Sequence, residues 1–209
     1  MQTETPFLVN VSNTSFSDYI SSLAKTGKKN HRYVEKHNED LTYGRITFNE
    51  DIVRFFMGLW QQQLIRGQKR NWGFGPEYVS YLNHKGCLDL FAAYKDDSTV
   101  LSIHFVERYG NYVYCHPPLY DKETTNKRYM AKYMWFNLIK YYIDTPIDFI
   151  DFGAGNRGTW KDLVMNREKY YEKMKYKWLY VPQHVKDNPE DELDYIVEKN
   201  EQRRKLVLR

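Results

Sequence analysis

The sequence predicts an α+β fold: helices first, from an N-terminal helix on, then an antiparallel meander, then a helix-strand-helix-strand closure and a charged C-terminal helix. Three observations predict it. From Phe16 to His84 apolar residues recur mainly at helical spacing. From Cys87 the period drops to 2 through three short β-prone runs. After Thr125 helical and strand-like segments alternate to the end of the chain.

Taken in order, Ser15 to about Asn38 places Phe16, Tyr19, Ile20 and Leu23 on one helical line, with Ser15 as N-cap. The segment then turns basic, with Lys25, Lys28, Lys29, Arg32 and Lys36. Tyr43 to Phe48 reads as a short strand. Ile52, Phe55, Phe56, Leu59 and Trp60 form one apolar stripe of a helix over Glu50 to Arg66. GQKRNWGFGP, from Gly67 to Pro76, is a loop by its glycines and proline, and a helix over Pro76 to His84 follows. Cys87 to Tyr94, Val100 to Glu107 and Asn111 to His116 are strands, separated by the turn-like Lys95–Ser98 and Tyr109–Gly110. Such short connections make an antiparallel meander. A helix from about Asn126 to Ile143 carries Met130, Met134 and Leu138 on one line. The apolar strand Ile147 to Phe152, a glycine-rich turn, a helix from Trp160 and a strand near Tyr176 to Val181 come next. Residues 1–187 read as one domain, and 188–209 as a charged helix packed on it or on a partner.

Composition bounds the function. The 209 residues are 17% aromatic and include 19 tyrosines, which suits a packed core rather than disorder. A net charge of +4 permits an anionic ligand but is too mild for a dedicated nucleic-acid binder. Cys87 and Cys115 are the only cysteines, too few for a disulfide scaffold. No apolar run approaches the ~18 residues of a membrane span, and Met1 to Val11 carries no basic-then-apolar leader. A cytoplasmic protein without a membrane partner is expected.

The sharpest local signal runs from Asp148 to Lys161, DFIDFGAGNRGTWK. As the nucleotide loop of a methyltransferase it fits locally, but only 51 residues follow Gly158, too few for the remaining units of a doubly wound sheet. As a kinase metal triplet, Asp151-Phe152-Gly153 has no companion motifs upstream. The third reading is a resemblance that spans most of the chain. Phe16, Tyr19, Ser22 and Leu23, followed by Lys28-Lys29-Asn30-His31-Arg32, resemble the first-helix pattern of the Fem-type domains of the GNAT acyltransferases. The meander from Leu88 to His116 is similar to their central strands. Asp151-Phe-Gly-Ala-Gly155 with Lys161 resembles their "D-x-G-x-G, then Y-K" signature.

The resemblance implies a GNAT fold, a mixed, mostly antiparallel sheet flanked by helices that splays between its fourth and fifth strands, where the acyl donor enters. It implies catalytic roles for Lys161 and Asp151. Tyr114 and Cys115 on the splayed strand, and Thr125, Asn126, Lys127 and Arg128 at the next helix, would hold the donor through main-chain N–H groups, hydroxyls and cations. The glycine-rich pyrophosphate loop of GNAT enzymes and the S-P-G turn of Fem-type domains are both missing from this stretch. Acyl transfer to an amine needs a proton acceptor and oxyanion stabilisation, the latter from a main-chain N–H on the Tyr112 to His116 strand. His116, at that strand's end before Pro117-Pro118, is a candidate base or an ordinary loop histidine. His104 projects into the cleft or is a satisfied interior histidine. Glu107 is a further candidate or a solvated strand end, and Arg157 a possible anion contact. Asp151 either serves the reaction or caps a following N–H.

The leading expectation is an N-acyltransferase that moves an acyl group from acyl-CoA, acetyl-CoA first, to the primary amine of a small acceptor such as an amino sugar nucleotide or amino acid. No metal is called for. The alternatives are aminoacyl-tRNA-dependent transfer, for which the basic run Lys25 to Lys36 offers a phosphate contact, and a catalytically silent binding domain. A homodimer is compatible with the C-terminal helix.

Overall fold

The computed structural model describes residues 3–66, 75–95, 99–123, 125, 128–155, 176–177 and 198. The chain begins with a strand, β1 (Thr3–Asn10), followed by α1 (Phe16–Ser22), α2 (Lys25–Lys36), β2 (Leu41–Ile46), α3 (Glu50–Arg66) and α4 (Pro76–His84). Next come β3 (Leu88–Lys95), β4 (Thr99–Tyr109), β5 (Tyr112–Cys115), β6 (Leu119–Tyr120), α5 (Met130–Ile143), β7 (Phe149–Gly155) and β8 (Tyr176–Lys177). Among the described residues the strands form one sheet in the order β2-β3-β4-β5-β7-β1-β8, with β6 pairing on β4. Every pairing is antiparallel except β5 with β7. The α+β class is the one the periodicity predicts, and the mixed, mostly antiparallel sheet is the one the resemblance implies.

Local chemistry explains the helix starts. The Ser15 hydroxyl accepts from the Asp18 N–H at 3.1 Å, as its position predicts. Asn49 accepts from the Ile52 N–H at 3.0 Å and opens α3, and Pro76 stands in the first turn of α4. Val53, Phe56 and Met57 of α3, with Tyr78, Val79 and Leu82 of α4, pack on Leu88, Leu90, Ile103 and Phe105 across one face of the sheet. On the opposite face Trp135, Phe136, Leu138, Ile139 and Tyr142 of α5 meet Phe91, Val106, Val113 and Ile150. The β4–β5 turn passes through Gly110 at φ 63, where a side chain would be strained.

Three expectations change. Helices do not come first: Thr3–Asn10 is a strand inside the sheet, between β7 and β8. Its apolar content is confined to Phe7-Leu8-Val9 beside Pro6, too short a run to show a period. The helix expected over Ser15–Asn38 is two helices, broken where Leu23 turns extended at ψ 151 and lets α2 depart in a new direction. The helix expected from Asn126 begins at Met130, capped by Tyr129 in the left-handed region (φ 50) rather than by the threonines before it. Apart from residue 198, the charged helix 188–209 lies outside the described residues, as does the helix expected from Trp160.

Candidate active site

The site begins where two neighbouring strands part. The parallel ladder of β5 with β7 runs over three pairs, Tyr112↔Phe149, Val113↔Ile150 and Tyr114↔Asp151. Beyond it β5 ends at Cys115, and Pro117-Pro118 lead into β6, which pairs back on β4 at Ser102 and Ile103. Proline has no N–H to continue a ladder. On the other side β7 runs on to Gly155 against β1, where Phe152 and Gly153 together face Phe7 in a bulge. Gly153 sits at φ 74, and its N–H donates to the Asp151 carboxylate at 2.7 Å. Tyr112 donates its hydroxyl to the same carboxylate. Asp151 thus closes a turn on β7 at the last paired position, and the sheet opens there as the resemblance implies.

Beside the opening lies a buried polar cluster centred on Glu107, near the end of β4. Its fully buried carboxylate accepts from Tyr78 of α4, from Tyr109, and from His116 Nε2 at 2.6 Å. Burial alone would push this carboxyl up. Hydrogen bonds from His116 first, then from Tyr109 and Tyr78, outweigh it and hold Glu107 below the ordinary carboxylate range. His116 stacks on Phe105 (ring centroids 4.3 Å apart) and meets the edges of Tyr78 and Tyr114. Glu107, Tyr114 and Asp151 are cross-strand partners in a row, so they share one face of the sheet.

His104 stands one strand position away on the opposite face, fully buried. Its Nε2 lies 2.7 Å from the His116 carbonyl, which can only accept, so Nε2 carries the proton and Nδ1 keeps an unpaired lone pair. Burial lowers its pKa to about 3, and the ring is neutral. His104 therefore braces the backbone of His116 from behind.

The expected site residues fall into three groups. Asp151, Tyr114, His116 and Glu107 gather at the opening, whereas Cys115 turns to the opposite, apolar face with Val106 and Trp135. Thr125 and Arg128 have partners of their own: Thr125 is buried with its hydroxyl on the Asp121 carbonyl. Arg128 grips Asp40 through both oxygens at 2.6 and 2.9 Å. That guanidinium, by its hydrogen bonds first, holds the Asp40 carboxyl below its usual value. The Asn38 amide donates to the Arg128 carbonyl and Tyr129 packs edge-on against Tyr33, so α5 starts beside α2. Lys161, Asn126, Lys127 and Arg157 lie outside the described residues. Sequence reasoning missed Tyr78, Tyr109 and Tyr112. Tyr78 shares the helical spacing of Val79 and Leu82, and so reads as core until its hydroxyl finds Glu107.

One strand over, an open groove of about 420 Å³ is lined by Arg45, Ile46, Phe48, Asn83, Leu88 and Leu90, among others. Leu88 pairs with Glu107 across the ladder, so the groove floor and the polar cluster share a face. Among the described residues no group of His, Cys, Asp and Glu could hold a metal ion, and no helix is long and apolar enough to cross a membrane.

The opened sheet with a polar cluster at the parting defines a class of transferase. Residues 21–162 match the acetyltransferase (GNAT) domain family, and the chain belongs to it: this is a GNAT-type acyltransferase domain. Among solved structures the fold is similar to that of FemX, at 11% identity and a TM-score of 0.59, over 77% of this chain and 57% of that one. It is similar also to L-PGS from Bacillus licheniformis, at 12% identity and TM-score 0.52, over 73% and 46%. A protein of unknown function from Bacteroides thetaiotaomicron shares it at 14% identity and TM-score 0.52, over 79% and 56%. The chain thus spans about half the length of these structures. No curated protein matches the chain.

Proposed function

We propose that this domain transfers an aminoacyl group from aminoacyl-tRNA to an amine acceptor. The observation that carries this reading is the parting of β5 from β7 beside the Glu107–His116 pair, combined with the placement of Arg128. A coenzyme A pyrophosphate would need cations and free helix N–H groups at the parting. Among the described residues of that stretch the one cation, Arg128, is neutralised by Asp40, and α5 starts against α2. An ester of a tRNA ribose presents no pyrophosphate to be held there. FemX and L-PGS share the fold, which supports a Fem-type donor over acetyl-CoA.

In this reading the acceptor nitrogen attacks the ester carbonyl, a C–N bond forms, and the ester C–O bond breaks. The amine proton passes to His116, whose Nε2–H is fixed on Glu107, so that Nδ1 is the atom taking the proton. Glu107 stabilises the imidazolium that results. The proton then leaves with the ribose hydroxyl. Lys161 is the cation assigned to the developing oxyanion, and Asp151 with Tyr112 keeps the strand end in place. The groove at Phe48, Leu88 and Leu90 is where the acceptor's apolar part rests.

The test supplies the protein with total tRNA charged with labelled amino acids or, in parallel, with labelled acetyl-CoA, against a panel of primary amines. Label moving from tRNA to an amine is the expected result. Transfer from acetyl-CoA alone would return the domain to the acyl-CoA class, and transfer from neither would leave a binding domain.

A further inference from the structure

We propose that the outward face of α2 is a nucleic-acid surface that grips the phosphate backbone of the tRNA donor, an inference that rests on the aminoacyl-tRNA reading above. At about 100° per residue, Lys25, Lys28, Lys29, Arg32 and Lys36 fall within an arc of about 100° along a stripe of about 16 Å. Lys25, Lys29, Arg32 and Lys36 are exposed and Lys28 is half-buried. The opposite face, Gly27, His31 and Val34, is buried.

These cations lack counter-charges. Among the described residues none of the five side chains has a hydrogen bond or an acidic partner. Of the acids nearby, Glu35 lies 3.2 Å from His31, Asp18 bonds Ser15 and Asp40 pairs with Arg128, while Glu39 stands exposed past the end of the helix. A folded chain of mild net charge that keeps one helix face wholly cationic leaves a strong local field there, which attracts an anion with repeated charges. Phosphates along one strand are such a ligand.

Aromatic rings decide between RNA and an anionic membrane. Tyr33, 43% exposed, flanks the stripe and stacks on His37 with ring centroids 3.8 Å apart. Tyr129, 49% exposed, stands edge-on to it, with the Lys132 ammonium 5.0 Å from its ring centre. Half-exposed rings beside a cationic track are the arrangement on which unpaired bases stack. A membrane-surface helix needs an apolar face to insert, and that face of α2 is already in the core. The same end of α2 touches the start of α5, so the surface is continuous with the segment that follows β6.

The experiment measures retention of unacylated tRNA over a salt series for the wild-type protein and for the variant Lys25→Gln/Lys29→Gln/Arg32→Gln/Lys36→Gln. Phosphatidylglycerol vesicles serve as the second ligand. The expected result is a log–log salt slope shallower in the variant by about one unit per cation removed, with unchanged melting temperature. Tyr33→Ala is expected to weaken tRNA roughly tenfold with an unchanged salt slope. Wild-type affinity and slope in the quadruple variant would overturn this surface while leaving the aminoacyl-tRNA reading intact. No tRNA binding by the wild-type protein would overturn both. Vesicle binding that the quadruple variant abolishes, with tRNA retention untouched, would make the stripe a lipid surface and overturn the RNA assignment.

Discussion

Glu107→Gln tests the polar cluster by changing one atom. In the wild-type protein three donors converge on two carboxylate oxygens: Tyr78 and His116 on Oε1, Tyr109 on Oε2. An amide keeps one acceptor oxygen and replaces the other with an NH₂ group, which cannot accept. At least one hydroxyl or ring N–H then faces another donor in a site without water access. A stranded buried donor costs about 1–3 kcal/mol, and losing the charge assistance of the bond to His116 brings the total to about 3 kcal/mol. For a chain of this length that corresponds to a fall of roughly 6–12 °C in Tm, read by scanning calorimetry at neutral pH. Turnover should fall by about 10²-fold or more, because His116 loses the group that orients it and stabilises its charged form. Tyr78→Phe separates the two effects: it removes one donor, leaves the carboxylate and His116 paired, and should lower Tm with little loss of turnover. A Glu107→Gln protein with wild-type Tm and wild-type turnover would refute both the buried charge and the role assigned to His116.

Four further outcomes follow from the same geometry. His104 has a folded-state pKa of about 3 against 6.5 unfolded, so below pH 6.5 the unfolded chain takes up a proton that the folded chain refuses. Its contribution is whole above pH 6.5 and falls away toward pH 3, by about 2 kcal/mol between pH 7 and pH 5, and His104→Gln should flatten the Tm–pH curve by that amount. Asp151→Ala removes the acceptor of the Tyr112 hydroxyl and of the Gly153 N–H and should lower Tm by roughly 4–24 °C. Asp151→Asn, which still accepts from Gly153 but sets an NH₂ group against the Tyr112 hydroxyl, should recover about half of that loss, and it restores turnover if Asp151 only shapes the strand end. Lys161→Ala should reduce turnover by about 10²-fold at unchanged Tm, and retained turnover would remove Lys161 from the oxyanion role. Arg128→Ala breaks a pair that is partly exposed and should cost about 1 kcal/mol or less by thermal unfolding, and a much larger fall would mean that Asp40 needs its partner to hold the α2–β2 corner.

Periodicity and turn chemistry determined most of the element series by themselves, because each of those signals is local. The stripe Ile52–Trp60, the proline at position 76 and the turn at Tyr109–Gly110 each act within a few residues, and α3, α4 and the meander of β3, β4 and β5 fall where they point. The match of segments in order identified the family for the same reason: a signature such as Asp151-Phe-Gly-Ala-Gly is contiguous in the chain. What only the tertiary structure decided is which side chains meet. Strand β1 has too few apolar residues to announce itself and is a strand because β7 and β8 pair with it. Tyr78 and Glu107, 29 residues apart, become partners only when α4 lies across β4. Arg128 reads as a lone cation in the sequence, and only the fold pairs it with Asp40, 88 residues earlier in the chain. A buried charge or an ion pair is a property of two surfaces brought together, and sequence alone carries each surface separately.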